Sequence, residues 1–217
     1  MLTNLTLAGL ITNLIILVIA LPVHEMAHAW TADYFGDQTP RMNGRLTINP
    51  LAHLDWIGSL LLVVAGFGWA KPVPINPYVL GRRSPAAVMW VSLAGPAANF
   101  LMAILAAIPF RLGLVHLGFA TSAILPTLSS FLFAFITINL TLFLFNLIPI
   151  APLDGEKILG YFFPPSWNRA LSSIGPYGPM ILMAVIFVGP LLGFNLLGII
   201  MNPPLTFLLK VLIGVSL

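Results

Sequence analysis

The chain has 217 residues, nine of them Lys or Arg and six Asp or Glu, so 7% carry a formal charge, against about 25% in an ordinary soluble domain. With 59% hydrophobic residues, a chain of this length has too little interior to hide its apolar surface from water. That excludes soluble globular, disordered and nucleic-acid-binding classes and leaves an all-α polytopic membrane protein of about four to six transmembrane helices.

In chain order, long apolar runs occupy Leu5 to Trp30, Ala86 to Phe110, Ile124 to Pro149 and Pro179 to Ile200, each near or above the roughly 20 residues that cross hydrocarbon. Trp56 to Ala70 and Leu205 to Leu217 are shorter, and the first of these reads as a re-entrant or interfacial segment. The leading run lacks a basic n-region and exceeds a signal-peptide core, so it is expected to be a retained helix. Arg41, Arg45, Lys71, Arg82 and Arg83 all fall between the first two long runs, which the positive-inside rule assigns to the cytoplasm, provided Trp56 to Ala70 does not cross. Arg111 and His116 then lie outside, and Lys157 and Arg169 inside. Three prolines in Lys71 to Pro77 rule out a helix interior and predict a short extended strand or hairpin. The expected organisation is one membrane domain over 1–217, with a core at 5–155 and C-terminal hydrophobic helices at 179–217.

At the cytoplasmic end of the first run stands His24-Glu25-Met26-Ala27-His28, an H-E-x-x-H pattern. Residues four apart share a helix face, so His24 and His28 can aim imidazole nitrogens at one ion with Glu25 beside them. In a soluble protein such a match is often an exposed polar face. Inside a membrane span two His and a Glu are costly unless they pair or bind something. Catalytic zinc sites usually take three protein ligands plus water, and with no cysteine in the chain the third is to be sought among Asp33, Asp37, His53, Asp55, His116, Asp154 and Glu156. Asp154 is favoured because the third long run breaks at Pro149 and Pro152, on the same side as His24 and His28 by the charge count. As the first half of Asp-Gly it is also an ordinary turn residue.

Taken together, HEMAH at 24–28, Gly95-Pro96-Ala97-Ala98-Asn99, the run Gly44 to Asp55 and the run Asn146 to Gly155 resemble the site-2 protease family of intramembrane zinc metalloproteases (peptidase family M50), in its short form without PDZ-like or CBS-like inserts. The resemblance implies one zinc ion per chain on His24, His28 and Asp154, with Glu25 as the catalytic residue. It further implies hydrolysis of peptide bonds in single-span transmembrane proteins or peptides near the cytoplasmic side of the bilayer, with no nucleic-acid partner.

Glu25 is suited to accept a proton from water and pass it to the leaving amine. A substrate helix must unwind locally, and unwound backbone in a membrane needs hydrogen-bond partners; the segment Lys71 to Pro77 is a candidate edge. Asn146, Asn99 and His53 are candidate substrate contacts. The first two serve equally as polar glue between helices, and His53 equally as a loop residue. The competing reading is a non-proteolytic metal-binding membrane protein or divalent-ion transporter. A carrier is expected to line several spans with polar groups in repeated halves, which this sequence lacks. A prokaryotic plasma membrane is the expected location.

Overall fold

A computed structural model of the chain describes residues 7–56, 58, 70–118 and 126–214. Among these residues the structure is helical, with no strand. Helix α1 is Leu7–Tyr34, α2 is the short turn Thr39–Met42, α3 is Pro77–Arg83, and α4 is Ala87–Arg111. Helix α5 is Leu128–Asn146, α6 is Asp154–Phe162, α7 is Pro165–Ile174, α8 is Gly175–Leu191 with a mixed helical backbone, and α9 is Leu196–Ile213.

Among the described residues, four helices are long and apolar enough to cross a membrane, namely α1 over Ile11–Tyr34, α4, α5 and α9. The expected span Pro179 to Ile200 is therefore corrected. It is divided by a turn at 192–195, where Gly193 takes a φ of +77° that other residues adopt only with strain and the Asn195 side chain caps α9 by accepting from the Gly198 N–H. Pro203 and Pro204 lie inside α9, so the doubtful run from Leu205 is the second half of the actual span. Most of the expected re-entrant segment, 57 and 59–69, lies outside the described residues.

Helix α4 is central. Ala87, Val91, Gly95, Asn99, Ala103 and Ala107, spaced by four, are all buried, forming a narrow stripe of mainly small residues that lets α1 and α5 approach closely. Towards its end, Ala103, Ala107 and Phe110 pack with Ile136 and Leu140 of α5 and with Leu205, Leu209 and Ile213 of α9. At its start, Ala87 and Val91 pack with Ala32 of α1 and Leu80 of α3. Arg111 closes the far end by donating Nε to the Leu212 carbonyl at 2.9 Å and Nη2 to the Val211 carbonyl of α9.

The segment 71–76 forms neither helix nor ladder. Its neighbour Ala70 makes an isolated antiparallel bridge with Leu54, and Lys71 N–H donates to the His53 carbonyl at 2.7 Å. Pro72 and Pro74 carry no N–H, so a longer ladder has nothing to donate. The segment is pinned instead by buried Asp37, whose carboxylate accepts from the N–H of Asn76 at 2.6 Å and of Thr39 at 3.0 Å.

Candidate metal centre

His24 and His28 stand one turn apart on α1, facing the buried stripe of α4 at two levels. The Nδ1 of His28 donates to the Val91 carbonyl at 2.6 Å. A carbonyl only accepts, so this nitrogen holds the ring hydrogen and a neutral His28 presents a bare Nε2. One level away, His24 Nδ1 lies 2.6 Å from Asn99 Oδ1. Between the two, Gly95 leaves room for both rings. A Cβ at that position would stand 2.3 Å from His28 Nε2 and 2.6 Å from His24 Nε2, so no residue with a side chain fits there without moving an imidazole.

Asp154, the first residue of α6, supplies the third group. Its Oδ2 lies 3.3 Å from each Nε2, and the two Nε2 atoms are 3.0 Å apart. The turn before it is closed by Gly155, where a Cβ would sit 2.3 Å from the Leu147 carbonyl oxygen and 2.4 Å from that of Ile148. The Ala151–Pro152 peptide bond in this turn is cis. Burial pushes the Asp154 carboxyl up, but its contacts with His24 and His28 outweigh burial and hold it below the ordinary carboxylate range. It therefore faces the imidazoles as an anion.

With the ring hydrogens on Nδ1, the two Nε2 atoms and Asp154 Oδ2 are all acceptors, and a positive charge between them, a proton or a metal ion, is what lets them stand this close. Ligand atoms at about 2.05 Å from a tetrahedral zinc ion stand about 3.3 Å apart, which matches the triangle of 3.0, 3.3 and 3.3 Å. Outward hydrogen bonds from both Nδ1 atoms are the usual support of metal-bound histidine. The donor set fits zinc.

Glu25 precedes His28 by three residues, on the same side of α1. It is half-buried, and its Oε2 accepts from the Val73 N–H at 3.3 Å. The segment 71–76 therefore reaches across to the glutamate while Asp37 holds its other end.

The expected substrate contacts divide. Asn99 is fully buried, and both ends of its amide are engaged, with Oδ1 on His24 and Nδ2 donating to Asn139 Oδ1 at 2.9 Å. Asn146, half-buried at the end of α5, donates to the Leu142 carbonyl of its own helix at 3.0 Å. His53 is not among the three converging groups. It is buried, its Nε2 donates to the Thr47 carbonyl at 2.8 Å, and its Nδ1 has no partner among the described residues. Sequence reasoning missed Asn139, whose only signal is its spacing two turns before Asn146, and the Val91 carbonyl, which no side chain announces.

The model of the family described as "Peptidase family M50" matches residues 108–188, a stretch that contains Asp154. A Bacillus subtilis protein named "Putative zinc metalloprotease YwhC" is 42% identical over 179 residues, covering 82% of this chain and 80% of its own length. Proteins called Rip2 under the same description, from Mycolicibacterium smegmatis and Mycobacterium tuberculosis, are 34% and 31% identical. Their matches cover 81% and 84% of this chain, and 66% and 69% of their own lengths. No solved structure matches the chain.

Proposed function

The chain belongs to peptidase family M50, and from that premise we propose how its residues divide the work of a zinc-dependent intramembrane endopeptidase. His24, His28 and Asp154 hold the ion, and the triangle of their ligand atoms is the observation that carries the reading. A bound zinc ion supplies Lewis acidity, which polarises a carbonyl and makes water acidic enough to ionise near neutral pH. Glu25 accepts the proton that water loses as its oxygen bonds to the substrate carbonyl carbon. As the C–N bond breaks, the same carboxyl returns that proton to the departing nitrogen. Asn99 and the Val91 carbonyl hold the two imidazoles with their Nε2 atoms turned inward.

The substrates are membrane proteins. We infer that they are single-span segments, cut near the cytoplasmic end of the bilayer. The bond to be cut must leave its helix, since helical carbonyls are already bonded and shielded. Segment 71–76 lies at Glu25 through Val73 and suits an unwound strand, while Asn146 and His53 remain candidate contacts along its path. The whole chain is taken to act as one domain in a prokaryotic plasma membrane. A carrier is not favoured, because the acidic and imidazole groups within the bundle gather at one depth rather than along a pathway.

The test compares the parent with Glu25→Gln and Asp154→Ala in liposomes holding a panel of single-span peptides. Glu25→Gln is expected to keep its zinc and lose cleavage by at least about a hundredfold, and Asp154→Ala to lose zinc as well. Cleavage by Glu25→Gln at the parental rate overturns the role given to the glutamate. Full zinc content in Asp154→Ala removes Asp154 from the ligands.

A further inference from the structure

We propose that Asn139 is a positioning residue for the metal centre: acting through Asn99, it fixes which nitrogen of His24 carries the ring hydrogen, and so aims a bare Nε2 at the ion. The inference rests on the metal-binding reading above and adds a residue of α5 that touches no ligand.

The relay begins at a group with one possible role. The Phe135 carbonyl can only accept, and Asn139 Nδ2 donates to it at 2.9 Å. This orients the Asn139 amide and leaves its Oδ1 facing α4. There Asn99 Nδ2 donates to it at 2.9 Å, which turns Asn99 Oδ1 towards α1. Oδ1 has no hydrogen, so the His24 Nδ1 at 2.6 Å must supply one. Each amide is thus oriented by the one before it, and a backbone carbonyl of α5 determines the tautomer of a ligand on α1. Asn99 and Asn139 have no exposed surface, so water cannot replace a lost member. Without Asn139, Asn99 keeps a buried N–H with no acceptor. Turning its amide over would present that N–H to His24 Nδ1, which requires the hydrogen on Nε2, pointing into the metal's place. His28 is fixed separately by Val91 and is unaffected.

A purely structural role for Asn139 would show in stability alone; the relay makes a claim about the ring. Selective ¹⁵N-histidine labelling of the metal-free protein in detergent should report hydrogen on Nδ1 of His24 in the parent and none on that nitrogen in Asn139→Leu, with His28 unchanged. Zinc affinity, measured by competition with a chromophoric chelator, should fall 10–100-fold in Asn139→Leu. Asn139→Asp, neutral in that apolar setting, has an O–H for Phe135 and an oxygen for Asn99, and should stay within roughly threefold of the parent. Absence of hydrogen from Nδ1 of His24 in the parent overturns the proposal without any variant, which covers a substitution that fails to fold. Parental affinity in Asn139→Leu, or equal losses in the Leu and Asp variants, also overturns it. A parent that binds no zinc sinks the metal centre itself, while the ring signals still judge the relay.

Discussion

Gly95 marks how little slack the site has. Its missing side chain is what lets both imidazoles pack against the backbone of α4, since a single methyl would lie within 2.6 Å of both Nε2 atoms. Alanine is the better helix former by about 1 kcal/mol, so Gly95→Ala should leave α4 intact. We expect zinc affinity to drop at least about tenfold, measured by chelator competition, with helical circular dichroism unchanged. At this scale the sequence is informative where chemistry is written in spacing. His24, Glu25 and His28 announce themselves because four residues make a turn. Asp154 was legible only with topology added, and Asn99 offered two roles that helical periodicity cannot separate. Asn139 was invisible, because its part depends on which neighbour its amide meets across a helix boundary.

Segment 71–76 behaves as a strap held at two points, at Val73 by Glu25 and at Asn76 by Asp37. Losing the Asp37 carboxylate removes two hydrogen bonds at a buried residue, a change of about 1–3 kcal/mol for each group left without a partner. In Asp37→Ala the amides of Val73 and Asn76 should exchange with deuterium faster, and cleavage should slow severalfold. Zinc content should stay at one per chain, because the three proposed ligands lie on α1 and α6. Loss of zinc together with activity would show that Asp37 supports the centre rather than the strap. Pro72 and Pro74 made the absence of helix here readable in advance. The anchors were not readable, because each joins residues far apart in sequence. Likewise the run Pro179 to Ile200 looked continuous by hydropathy, and its division rests on a glycine turn and an asparagine cap that weigh little in an average.

Taken whole, the bundle has two unlike ends. The metal centre, the strap and seven of the nine cations belong to one end, while Arg111 and Lys210 belong to the other. Because Arg111 at the end of α4 binds carbonyls at the end of α9, the two helices run the same way, and α9 must begin at the metal end. Helix α8 therefore returns to the side it left. Reporter fusions after Arg83 and after Asn195 should read cytoplasmic, and fusions after His116 and after Gly214 should read the opposite side. A cytoplasmic signal after Gly214 would contradict the pairing of α4 with α9. The number of spans was legible from hydropathy, but which run forms the last one was settled by packing.

The long stretch of chain between His28 and Asp154 also has a meaning in time. Ribosomes extend a chain at about 5–20 residues per second, so on the order of ten seconds separate the first two ligands from the third. Once α1 has inserted, the glutamate and both imidazoles stand in the bilayer, beside newly inserted segments of the same polypeptide, without the carboxylate that completes the triangle. The centre closes only after α4 and α5 have been made and α6 has folded back onto them. Dispersing the ligands along the sequence thus delays the appearance of the hydrolytic site until the spans nearest to it, its own, are no longer loose.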